Sequence, residues 1–127
     1  MTNDEIRVTK AEGAGREFDL EERTGRFGEA VICFAKRIPI NLVTTPLIPQ
    51  LVRSAVSVGA NYLEADDADS KKDFRYRIGV ARREARETKH HLRMVVAAEP
   101  QLREDARALW QEAKELNLIF GAIRRRG

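Results

Sequence analysis

The sequence predicts an all-α fold, an antiparallel up-down-up-down four-helix bundle. Three observations carry that expectation. Apolar residues recur at alternating steps of three and four through four separate stretches, which gives each one a single buried helix face. The connections between them are short and hold the proline, aspartate, serine and threonine residues that start and stop helices. The composition, 43% hydrophobic and 34% charged with only 6% aromatic, suits a surface-rich helical domain better than a sheet. At 127 residues one domain is expected, and short connections make successive helices run antiparallel.

Residues 1–17 are polar, carry Gly13 and Gly15, and show little periodicity. They read as a flexible arm ahead of a bundle domain over residues 18–127. The alternation Glu5-Ile6-Arg7-Val8 also fits a strand, against the frayed-terminus reading. The first helix begins at Asp19 as N-cap, with Glu21 and Glu22 in its first turn. Leu20, Thr24, Phe27, Val31, Phe34 and Ile38 form its seam; Lys36 and Arg37 fall in the last turn and Pro39 stops it. The connection to Thr45 is apolar at Ile40, Leu42 and Val43, so it is expected to lie across the bundle.

Thr45-Pro46 reads as an N-cap followed by a first-turn proline, although Pro49 leaves the start of the second helix open. Leu51, Ala55, Val58, Tyr62 and Ala65 line its seam as far as about Asp66. Val52, Val56 and Leu63 widen the apolar arc beyond one seam. Ser54, Ser57, Gly59, Ala60 and Asn61 are small enough to let another backbone approach. Ser70, with Asp73 three residues on, nearly matches a capping box. The third helix runs from there to about Ala98, about 40 Å at 1.5 Å per residue. Its seam is Phe74, Ile78, Ala81, Ala85, Thr88, Leu92 and Val95, with Tyr76, Val80 and Met94 as a separate apolar flank. The fourth helix starts at Pro100 and steps through Leu102, Ala106, Leu109, Ala113, Leu116, Phe120 and Ile123. Arg124, Arg125 and Arg126 close it at the negative end of the helix.

Most catalytic constellations are missing. Glu87-Thr88-Lys89-His90 matches one half of a carboxylate-bridged di-metal site. His90, however, points nearly opposite to the seam, and the only other histidine is His91, so a second pair cannot form. Glu64, Asp66, Asp67, Asp69 and Asp73 could gather a hard cation such as magnesium; capping, with salt bridges to Arg53, Lys71 and Lys72, explains them more simply. There is no nucleophile elbow, Cys-His pair or glycine-rich phosphate loop. No catalytic or metal-ligating residue is assigned and no cofactor is expected. The lone Cys33 reads as a surface or interface thiol and suits a reducing cytoplasm. No apolar run approaches the roughly 20 residues of a membrane helix, and no signal-peptide core is evident.

The informative pattern is basic. On the third helix, Lys71, Arg75, Arg82, Arg86, Lys89 and Arg93 fall in a narrow arc about 33 Å long, uninterrupted by acid and expected to face away from the seam. On the fourth, Arg103, Arg107, Lys114 and Arg125 form a sparser stripe. With 23 Lys and Arg against 20 Asp and Glu the net charge is only +3, so it is the arrangement that points to a partner. Such a surface would bind phosphates without reading bases. Of these, Lys71, Arg75, Arg82, Arg86, Lys89, Arg93, Arg103, Arg107 and Lys114 are the candidate nucleic-acid-binding residues.

Four blocks, in order from roughly Phe18 to Ile123, resemble one family: FGEAVICFAKRIP, QLVRSAVSVGANYLEADDADSKKDF, ARREARETKHHLRM and LWQEAKELNLIFGAI. This is the bacterial four helix bundle family, whose members include proteins encoded within intervening sequences of large-subunit ribosomal RNA genes. The resemblance implies an antiparallel bundle assembled into a ring, commonly a homopentamer, with no catalytic residues to carry over. A related accessory protein of diversity-generating retroelements is basic and pentameric, and works with a reverse transcriptase and nucleic acid. The implied partners are therefore further copies of the chain and RNA or a reverse-transcriptase-like protein, with no membrane. The expected function is a non-enzymatic oligomeric scaffold for RNA or an RNA-handling partner in the cytoplasm. The alternative is a protein-binding adaptor whose stripes meet an acidic partner. A metal-dependent enzyme is a third reading, carried only by the acidic junction.

Overall fold

The computed structural model describes residues 19–126. The arm expected over residues 1–17, with its Glu5 to Val8 alternation, lies outside the described residues. Within them are four α-helices: α1 Leu20–Ala35, α2 Thr44–Asp66, α3 Lys71–Ala98 and α4 Arg103–Arg126, with a 3-10 turn Pro100–Leu102 leading into α4. No strand occurs among the described residues.

Cross-links between the helices fix their directions. Arg23 reaches Glu112 at 2.7 Å and Glu115 at 2.9 Å, while Arg37, just past the other end of α1, meets Asp105 at 3.9 Å, so α1 and α4 are antiparallel. Arg53 meets Glu87 at 3.3 Å and Arg77 donates to the Asn61 side chain at 3.3 Å, so α2 and α3 are antiparallel as well. Each helix packs on its sequence neighbours, and α1 closes the bundle with a thinner contact to α4. The Arg23–Glu112 pair is a bidentate fork, at 2.7 and 2.9 Å, and holds that thin side together.

The periodic seams form the core. Phe34, Phe120, Leu51, Ile78, Leu92, Leu116, Val31, Val58 and Val95 are fully buried, each at a seam position. The small residues act as expected at one point: a Cβ on Gly59 would lie 3.1 Å from Thr24 Oγ1, so α1 and α2 cross closely there. The buried hydroxyls are satisfied within the bundle. Thr24 donates to the Leu20 carbonyl at 2.7 Å. Thr88 lies 2.9 Å from Ser54 Oγ, which donates in turn to the Leu51 carbonyl at 3.1 Å.

The ends depart from the sequence reading in several places. Helix α1 stops at Ala35, so Lys36 and Arg37 lie in the turn after it. The α1–α2 loop does not lie across the bundle: Ile40 is 81% exposed and Leu42 94% exposed. Its order comes from polar bonds instead. Asn41 Oδ1 accepts from the Val43 and Thr44 amides, both at 2.9 Å, and Thr44 donates to the Pro39 carbonyl at 2.6 Å. Asn41, rather than Thr45, therefore holds the amides at the start of α2, in the manner of an Asx turn. Its Nδ2 also donates to Glu99 at 3.0 Å, tying this loop to the α3–α4 turn. Pro49 sits in the second turn of α2. At the α2–α3 junction Ser70 caps α3 as expected, accepting from the Asp73 amide at 3.0 Å. Arg53 does not serve this junction; it pairs with Glu84 and Glu87 on α3.

Candidate functional site

The two basic stripes meet in one groove. At 100° per residue the α3 cations sit about a quarter-turn from the centre of the seam, and α4 packs on that side. The expectation that they face away from the seam is corrected accordingly: Arg75, Arg82, Lys89 and Arg93 line the α3–α4 groove, with Lys71 and Arg86 on the same arc beside them. Lys71, Arg75, Arg86 and Arg93 are exposed, whereas Arg82 and Lys89 are half-buried against α4. From the other wall come Arg103, Arg107 and Lys114, all exposed, together with Trp110, Asn117, Gly121, Arg124 and Arg125.

At one end of the groove, Arg75 Nη1 donates to the Arg124 carbonyl at 3.1 Å. A cation at the C-terminus of α4 is favoured by the unsatisfied carbonyls there. Arg124 lies over Gly79, where a Cβ would come within 2.9 Å of its Nε. That Nε is buried and has no hydrogen-bond partner among the described residues. In the middle, Asn117 Nδ2 donates to the Arg82 carbonyl at 2.9 Å, and the Arg82 stem would pass 3.5 Å from a Cβ on Gly121. Arg75, Arg82, Arg124 and Arg125 thus surround a recess of about 220 Å³.

At the other end, Arg93, Arg103 and Arg107 surround a recess of about 390 Å³ floored by Leu92, Val96 and Ala106, with Trp110 on its wall. The ammonium groups of Lys89 and Lys114 lie 5.1 and 5.7 Å from the indole centroid, within cation–π range. Among the described residues, Arg107 alone of these cations has a carboxylate within salt-bridge distance, Glu104 at 2.9 Å. Their hydrogen bond, foremost, and their opposite charges hold the Glu104 carboxyl below and the Arg107 guanidinium above their ordinary values. The rest of the groove carries unneutralised positive charge along two facing helices, an arrangement suited to a polyanion.

The other candidates stay apart from this surface. His90 is exposed, as its wheel position predicts, and its ring lies 5.8 Å from that of His91. Among the described residues no three His, Cys, Asp or Glu side chains gather as a metal site. Cys33 is exposed. No helix among them is long and apolar enough to cross a membrane. The sequence reading missed Trp110, Asn117 and Arg124. A signal existed: Arg107, Trp110 and Lys114 are spaced by three and four, so they share one face of α4.

The family profile for the 23S rRNA-intervening sequence protein matches residues 11–121. The fold is similar to that of a protein of unknown function from the S23 ribosomal protein family of Bacteroides thetaiotaomicron. The TM-score is 0.74 and the identity 24%, over 86% of this chain and 97% of that one. Comparison with curated proteins returned no match.

Proposed function

Because this chain belongs to the 23S rRNA-intervening sequence protein family, we propose that it is a non-enzymatic, homo-oligomeric scaffold that binds RNA phosphates along the α3–α4 groove in the cytoplasm. The observation that carries this reading is the convergence of both stripes on one groove in which, among the described residues, only Arg107 has a carboxylate within salt-bridge distance. Phosphate contacts of this kind hold nucleic acid without reading its sequence and weaken as salt rises. A pentameric ring, as the family resemblance implies, would repeat the groove around its axis. Self-association is supported by the exposed apolar side chains of Val56 and Leu63 on α2, Tyr76 on α3, and Ile40 and Leu42 in the loop. Static light scattering should return a multiple of the 14.4 kDa chain mass; a monomer would remove the oligomer from the proposal.

The test of binding is charge reversal at Arg86, Arg93 and Arg103. All three are exposed, so Arg86→Glu, Arg93→Glu and Arg103→Glu together should leave helical content unchanged. RNA binding at low salt should be lost. Single reversals should each reduce the slope of log affinity against log salt by roughly 0.7 for a single strand. Wild-type protein with no RNA affinity at low salt, but with affinity for an acidic protein, would favour the adaptor reading instead.

A further inference from the structure

We propose that the Trp110 recess is a stacking site for one unpaired base of a single-stranded RNA. The proposal rests on the RNA-binding reading above and narrows its ligand. Trp110 is the only tryptophan of the chain and is 37% exposed on the wall of a recess of about 390 Å³, within the roughly 300–1,000 Å³ usual for small-ligand sites. Phosphate neutralisation needs only the arginines. It gives no reason for a half-exposed indole and an apolar floor of Leu92, Val96 and Ala106 in the midst of them. A base supplies what such a surface lacks, because every base has an aromatic face and stacks on indole with little regard to sequence.

The present neighbours of the ring permit this. Lys89 and Lys114 approach the indole on flexible stems; Lys114 is exposed, and an exposed cation–π contact is weaker than a base–aromatic stack. A base can therefore displace a lysine from the ring, leaving its ammonium free for the adjoining phosphate. Arg93, Arg103 and Arg107 stand around the recess, placed for the backbone on either side of the stacked nucleotide. A duplex cannot use the site in this way, since its bases stack on one another and its surface offers backbone and 2′-hydroxyls. An acidic peptide would satisfy the arginines but offers no base to the indole.

The experiment compares a short single-stranded RNA with the duplex formed from it and its complement, at one low salt concentration. Anisotropy of labelled RNA reads affinity and the emission of Trp110 reads stacking. The single strand should quench Trp110 and bind more tightly than the duplex. Trp110→Leu should weaken single-strand binding about tenfold, the scale of one lost stack, and leave duplex binding unchanged. Trp110→Phe, which keeps an aromatic face, should retain most of the affinity. Single-strand binding without quenching, or an equal loss for both RNAs on Trp110→Leu, would overturn the stacking site while leaving the phosphate groove standing. If neither RNA binds, or polyglutamate binds more tightly than both, the stacking site and the RNA-binding reading fail together.

Discussion

Two glycine substitutions isolate the α1–α2 crossing. Gly25 and Gly59 both lie within helices, so replacing either by alanine should gain about 1 kcal/mol of helix propensity. Their surroundings differ. Nothing lies within 4 Å of a Cβ added at Gly25, whereas at Gly59 that atom would meet Thr24 Oγ1 at 3.1 Å and Thr24 Cβ at 3.4 Å. Thr24 has little room to yield, being buried with its hydroxyl bonded to the Leu20 carbonyl. The neighbouring Arg23 is clamped to α4 through Glu112, an ion pair that also raises the arginine's pKa. Gly25→Ala should therefore stabilise by about 1 kcal/mol, or about 4 °C in Tm. At Gly59 the strain of the close contact offsets the propensity gain, and Gly59→Ala should be nearly neutral. Gly59→Val overfills the crossing and should cost about 1–3 kcal/mol. Urea unfolding of all four proteins at one fixed protein concentration measures this. Equal stabilisation by both alanines, with no loss in Gly59→Val, would refute a close crossing at Gly59.

Three further outcomes follow from the same structure. Asn41→Ala removes the side-chain bonds to the amides at the start of α2 and the link to Glu99, and should cost about 1 kcal/mol in chemical denaturation. Thr88→Val removes the hydroxyl beside buried Ser54 and should cost about 1 kcal/mol; adding Ser54→Ala should recover part of that loss, because both partners are then apolar. Burial lowers the His91 pKa below its ordinary 6.5, with the adjacent His90 charge acting in the same direction. As pH falls the unfolded chain takes that proton first, so stability is full above pH 6.5 and declines below it until folded His91 also protonates. His91→Gln should flatten that part of the stability–pH curve; an unchanged curve would contradict the direction of the shift.

The core was legible in the sequence because burial obeys helix geometry: a residue such as Val31, Ala55, Leu92 or Leu116 is inside wherever the 3.6-residue period places it. Ser70 was equally readable, since a cap acts over three residues. Asn41 was not, because its bonds belong to a turn whose shape depends on how Pro39 and Thr44 are held. The exposure of Ile40 and Leu42 was hidden for a different reason: apolar character says that a side chain gains from cover, not that its own protomer provides it. The basic residues were legible as a set, but their setting was not. A wheel gives angles around one axis, and only the packing of α4 against α3 decides that Arg93, Arg103 and Trp110 line one recess.

Lysine acetylation footprinting of the full chain, with and without single-stranded RNA at low salt, tests the placement of RNA in the α3–α4 groove most directly. Lys71, Lys89 and Lys114 should lose reactivity on RNA addition, while exposed Lys36 beyond α1 keeps its own. Unchanged reactivity at the three groove lysines in the presence of bound RNA, or protection at Lys36 alone, would contradict that placement.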